Sequence, residues 1–199
     1  MVFPPHNVEN WIFATGMIRS GTTFLAPVLS HPLSVDYIHE PFNGAYTLPE
    51  RVALRPRYVR PGDTSYAVRR HRDQVQHLFN YRIGMRAARY DADPVVRKWV
   101  KRVVGSRGPF YLRFAKANLF RKHVLIKDPM AGLTTEFLYR NFHVRPVVIV
   151  RHPVSLAASL QRLNWYPQVY DFQLQPDLVE DYLGNDRFLL DRSYTSRLH

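Results

Sequence analysis

A chain of 199 residues that is 46% hydrophobic and 14% aromatic has the length of one domain and too much apolar content to stay disordered. It contains no cysteine, which excludes a disulfide scaffold, a thiolate zinc site and a cysteine nucleophile. Its formal net charge of +12 predicts an anionic partner: nucleic acid, a membrane surface, or a phosphate- or sulfate-bearing ligand.

No apolar run approaches the ~18–20 residues of a membrane span. Met1–Asn10 lacks the basic and apolar regions of a signal peptide, so the expectation is a cytoplasmic protein. In chain order, Trp11–Thr15 reads as a short strand ending at Gly16, and Thr22–Ser30 as a helix bent or shortened by Pro27. Val35–Ile38 is a second strand. The segment 51–122 then carries nineteen Lys+Arg against four Asp+Glu, so the remaining chain is slightly acidic, most visibly at Asp171, Asp177, Glu180, Asp181, Asp186 and Asp191. This basic middle reads as mostly helical. Ser65–Asp91 places Val75, Leu78 and Phe79 on one face, with Arg82, Arg86 and Arg89 continuing it. Asp93-Pro94 reads as the cap and first turn of a helix to about Val104.

After the insertion, His123–Lys127 is a third strand, a helix is expected around Leu133–Phe142, and Pro146–Val150 has the β-branched content of a buried parallel strand. Pro153–Asn164 follows as a helix with proline in its first turn. This alternation predicts an α/β fold with a parallel, P-loop-type sheet, a single domain over 1–199, and 51–122 as a basic helical insertion within it.

Gly16-Met17-Ile18-Arg19-Ser20-Gly21-Thr22-Thr23 lies between a strand and a helix, where glycines let the backbone wrap an anion and free N–H groups point at it. The glycine spacing is that of a Walker A loop, but Thr22 stands where the lysine belongs and Arg19 supplies the cation inside the loop. The strand Pro146–Val150 ends in Arg151, not in the aspartate a magnesium-dependent kinase needs. Glu40, in His39-Glu40-Pro41-Phe42-Asn43, is a candidate general base, and His39 is its rival because an imidazole titrates nearer neutrality. Lys127-Asp128-Pro129 puts a cation at the end of the third strand, where α/β folds bind ligands. The histidines show no metal-ligand spacing, and His31, His71, His77, His123 and His143 read as surface or packing residues.

Arg19-Ser20-Gly21-Thr22-Thr23 after an apolar strand and Gly16 resembles the 5′-phosphosulfate loop of sulfotransferases, which use 3′-phosphoadenosine 5′-phosphosulfate (PAPS). A strand ending in Arg with Ser eight residues on, here Val148-Ile149-Val150-Arg151 and Ser159, resembles the family's 3′-phosphate motif. The 21-residue step from Arg19 to Glu40 and the Lys127-Asp128-Pro129 triplet are similar to tyrosylprotein sulfotransferases and bacterial relatives. A looser likeness extends to Gln175-Pro176-Asp177-Leu178 and Asp181-Tyr182-Leu183, and none covers the basic middle.

The resemblance implies sulfuryl transfer from PAPS to a hydroxyl or amine without a required metal. Arg19, Ser20, Gly21, Thr22 and Thr23 would hold the 5′ end of the donor, and Arg151 and Ser159 its 3′-phosphate. Glu40 would be the base, Lys127 the leaving-group cation, and Asp128 would orient Lys127 or the turn. Family members run longer than this chain, so an enzyme lacking its lid and part of the adenine site is expected. The partners implied are the sulfonucleotide and an unidentified acceptor. Other readings are a P-loop kinase-like phosphotransferase, a non-catalytic relative, and a nucleic-acid-binding protein using the basic middle.

Overall fold

Residues 8–48, 52, 54–86, 96, 107–165 and 175–184 are described by the computed structural model. The helix expected from Asp93 to Val104 lies outside them apart from Val96, as do Arg89, Asp171, Asp186 and Asp191. Four strands, β1 (Asn10–Gly16), β2 (Val35–His39), β3 (His123–Lys127) and β4 (Arg145–Ile149), form one parallel sheet in the order β2-β3-β1-β4. Parallel neighbours require crossovers, which the flanking helices supply. These are α1 (Thr22–Leu29), α2 (Tyr66–Phe79), α3 (Arg107–Ala117), α4 (Thr135–Phe142), α5 (Pro153–Gln161) and the short α6 (Pro176–Leu178). The molecule is an α/β protein, and among the described residues no helix is long and apolar enough to cross a membrane.

Strand alternation divides the core between the two faces of the sheet. Phe13, Ile38, Val124 and Ile126 pack with Val75, Leu78 and Phe79 of α2 and Phe137 and Leu138 of α4. Ala14, Tyr37 and Leu125 face the other way, against Ala26 of α1 and Tyr111 of α3. Trp11 lies 4.4 Å from Phe79, which stacks on Phe142 at 4.5 Å.

Pro27 is accommodated because α1 ends two residues later, where the Ser30 N–H and hydroxyl both donate to the Ala26 carbonyl, at 3.0 and 2.8 Å. The helix expected over Ser65–Asp91 stops at Phe79. Ser65 caps its start by accepting from the Val68 N–H, and Tyr81 turns left-handed (φ 55°) just past its end. That turn buries the Tyr81 ring and aims its hydroxyl at the fully buried Asp36, 2.8 Å away. Arg82 and Arg86 therefore do not continue the helix face. β4 is not the buried strand its sequence suggests. It pairs with β1 on one side, is the last strand of the sheet among the described residues, and exposes Arg145, Pro146 and Val148.

Candidate active site

The parallel register aligns the strand ends. Ala14 and His39 both pair with Lys127, and Gly16 pairs with Ile149, so the segments leaving all four strands emerge at one edge of the sheet.

At the exit of β1 the backbone is shaped by glycine. Gly16 has φ 152°, and a Cβ there would lie 2.4 Å from the Ile149 carbonyl and 2.8 Å from Ser20 Oγ. Gly21, at φ 113°, immediately precedes α1. Between them Arg19 adopts φ 69°, and the Ser20 N–H closes a turn on the Met17 carbonyl at 3.0 Å. The first N–H groups of α1, beginning at Thr22 and Thr23, have no carbonyl one turn earlier to bond, which leaves the helix start positive. Thr22 is buried and Thr23 exposed. Ser20 Oγ is buried without a hydrogen-bond partner.

The exit of β4 meets this turn. The exposed Arg151 donates from its guanidinium to the Arg19 carbonyl at 2.9 Å. Ser159, 4% exposed on α5, accepts from Arg19 Nε at 3.3 Å. Arg19, Arg151 and Ser159, 132 and 140 positions apart, thus form one cluster. In it Ser159 contacts the loop arginine.

The exits of β2 and β3 build a second cluster. Lys127, 1% exposed, donates from Nζ to Glu40 Oε1 in an ion pair. Asn43 Nδ2 donates to the other oxygen, Oε2, at 2.8 Å. Glu40 sits at φ 48°, pinned by its own N–H to the Lys127 carbonyl at 2.7 Å and by the Asn43 N–H to its carbonyl at 3.2 Å. Burial works to raise the Glu40 pKa, but the bond and charge of Lys127, with His39 and Asn43, hold the carboxyl below its ordinary value. His39 lies beneath the pair at 3% exposure. Its Nδ1 is 2.6 Å from the Tyr37 hydroxyl, whose pKa burial and Glu40 drive up. The other ring nitrogen, Nε2, lies 3.8 Å from Glu40 Oε1. Burial, with Lys127 and Arg107, lowers the His39 pKa to about 4, against the pull of Glu40.

Asp128 joins the two clusters. It is fully buried. Oδ2 accepts from the Phe42 N–H at 2.8 Å and Oδ1 from the Met130 N–H at 3.0 Å. Its own N–H donates to the Ala14 carbonyl at 3.0 Å, and its carbonyl accepts from Thr15 Oγ1 at 2.8 Å. Burial and then the neighbouring Glu40 push the Asp128 pKa up to about 7, although both backbone donors and Lys127 pull against them.

Every candidate catalytic or donor-binding residue lies at this edge of the sheet: Arg19, Ser20, Gly21, Thr22 and Thr23 at the first turn, Glu40 and Lys127 as a pair, Arg151 and Ser159 against Arg19. Sequence reasoning missed Asn43, for which the available signal was a short amide three residues after the glutamate in a proline-containing turn. It also missed Tyr37, whose hydroxyl orients His39. A cavity of about 230 Å³ lies elsewhere, lined by Arg60, Arg72, Glu136 and Arg140 among others, and shares no residue with these clusters. The residues around it are mutually engaged: Arg60 bonds Glu180 and Asp181, Arg140 bonds Glu136, and Arg72 bonds Asn141. In comparisons with known proteins, no family model, no curated protein and no solved structure matches the chain.

Proposed function

We propose that this protein is a PAPS-dependent sulfotransferase, built on a P-loop-type sheet with 51–122 as a basic, mostly helical insertion. One observation carries the reading. A glycine turn with an internal arginine, Arg151 and Ser159 from a distant strand exit and helix each bonded to that arginine, and a carboxylate–lysine pair meet at one edge of a parallel sheet. The open first turn of α1, Arg19 and the unpartnered Ser20 hydroxyl suit the 5′-phosphosulfate. Arg151 and Ser159 suit the 3′-phosphate.

In the reaction Glu40 removes the acceptor proton as the acceptor oxygen or nitrogen forms its bond to sulfur. The bond from sulfur to the 5′-phosphate oxygen breaks in line, and its electron pair leaves with the phosphate. Lys127 stabilises the charge developing on that oxygen, and Arg19 the sulfuryl oxygens. The ion pair links the two roles. As Lys127 turns toward the donor, Glu40 loses the cation that depresses its pKa and becomes a stronger base. The buried, Tyr37-held imidazole of His39 favours Glu40 over His39 as the base.

The test is calorimetric titration with adenosine 3′,5′-bisphosphate and with Mg-ATP, followed by transfer from labelled PAPS to a panel of phenol, sugar, amine and peptide acceptors. Metal-independent bisphosphate binding with transfer to at least one acceptor is the expected result. Binding of Mg-ATP but not the bisphosphate would favour a kinase-like protein and overturn the reading.

A further inference from the structure

Glu40 occupies a left-handed backbone conformation that a non-glycine residue holds only when its surroundings over-determine it. Main-chain bonds to Lys127 and Asn43 pin that backbone, and two side chains outside the reacting set hold the carboxylate and the following turn. Asn43 engages Oε2 of the carboxylate while Lys127 holds Oε1, so the carboxyl plane has two fixed points. Asp128 works from the backbone side, with its carboxylate fastening Phe42, two residues beyond Glu40. The main chain of Asp128 is bonded to Ala14 and Thr15, the residues that lead into the Gly16 turn.

We propose that Asn43 and Asp128 are the positioning residues of the catalytic glutamate. Asn43 sets the orientation of its carboxylate, and Asp128 sets its placement relative to the glycine turn that receives the donor. The proposal rests on the reading of Glu40 as the base. The physical case for Asp128 lies in its saturation. A carboxylate that accepts the Phe42 N–H after β2 with one oxygen and caps its own turn after β3 at the Met130 N–H with the other, and whose own N–H and carbonyl bond Ala14 and Thr15 of β1, ties the ends of three strands together at one residue. An amide cannot replace it, because only one of its two terminal atoms accepts and the NH2 would face a backbone donor. Asn43 adds a bond that a hydrophobic residue cannot make, and an aspartate there would set a second negative charge against Glu40.

The experiment compares Asn43→Ala, Asn43→Asp and Asp128→Asn with wild type and Glu40→Gln in the full chain. It measures turnover from PAPS against pH at saturating acceptor, the donor KM, and bisphosphate affinity. Asn43→Ala is expected to lower kcat about tenfold and move the acidic limb of the profile upward, with Asn43→Asp moving it further. Asp128→Asn is expected to lower kcat about 100-fold while bisphosphate affinity changes less than about threefold. An unmoved limb in both Asn43 variants, or a loss of bisphosphate affinity in step with kcat in Asp128→Asn, would overturn the proposal. If Asp128→Asn does not fold, the Asn43 pair decides. Turnover surviving in Glu40→Gln would overturn the underlying assignment of the base. An inactive Glu40→Gln beside unaffected Asn43 variants would overturn the positioning role alone.

Discussion

Replacing Lys127 by methionine keeps the side-chain volume but removes the cation from a pair in which the lysine is 1% and the glutamate 13% exposed. Breaking a buried ion pair by deleting one partner costs about 3–5 kcal/mol, because the remaining charge is left in a poorly solvated place. Glu40 keeps some access to water and the Asn43 bond, so about 3 kcal/mol is expected at neutral pH. In a chain of this size that corresponds to a fall in Tm of roughly 6–12 °C. Adding Glu40→Gln to Lys127→Met removes the orphaned charge and should recover about 2 kcal/mol. The sign of the pH dependence follows from the depressed Glu40 pKa. The contribution of the pair is complete above the ordinary value of 4.5 and is lost as pH falls through the lower folded value, so wild type and variant converge in acid. Urea unfolding followed by circular dichroism on the four members of the cycle supplies the measurement. A single-variant loss under about 1 kcal/mol with strictly additive double-variant behaviour would refute the reasoning, since that is the signature of a solvent-screened surface pair.

Three further outcomes are expected. Arg19→Ala and Arg151→Ala should each weaken bisphosphate binding by about 2–5 kcal/mol in calorimetry, and unchanged affinity in both would remove the basis for the donor site. Gly16→Ala should destabilise the chain by about 2 kcal/mol or more and abolish bisphosphate binding, because its Cβ would lie 2.4 Å from a backbone carbonyl; a wild-type melting curve would refute this. Asp128, whose folded pKa of about 7 lies above its ordinary 3.8, binds a proton in the folded state that the unfolded chain has released. Its own contribution to stability should therefore fall as pH rises from about 4 to 7, while His39, lowered to about 4, contributes in the opposite sense, so the Asp128 part is read as the difference between wild type and Asp128→Asn across that range. A wild-type-minus-variant difference that grows as pH rises through this range would contradict the assignment.

Most elements and the geometry of the first turn were legible in the sequence because they are local. Short apolar runs made His123–Lys127 and Val35–Ile38 readable as strands, and the spacing of Gly16 and Gly21 around Arg19 marked a tight turn between strand and helix. Less was legible where the deciding partner is far along the chain. The helix after Ser65 stops at Phe79 although the sequence beyond it stays compatible with a helix, because Asp36, buried at the start of β2, takes the Tyr81 hydroxyl from 45 positions away. β4 has a core-like composition yet lies at the end of the sheet order, a position that strand composition does not encode.

The sequence by itself determined the order of strands and helices, the two glycines of the first turn and the identity of the cations beside it, since propensity, turn geometry and charge act over a few residues. Only the tertiary structure decided which groups meet. It paired Lys127 with Glu40 across 87 positions and set Arg151 against the carbonyl of Arg19 across 132. It also left Asp128 buried at the junction of three segments. Those encounters depend on parallel register, which brings the ends of strands distant in the chain to the same edge of the sheet, and register is a property of the assembled sheet rather than of any one strand.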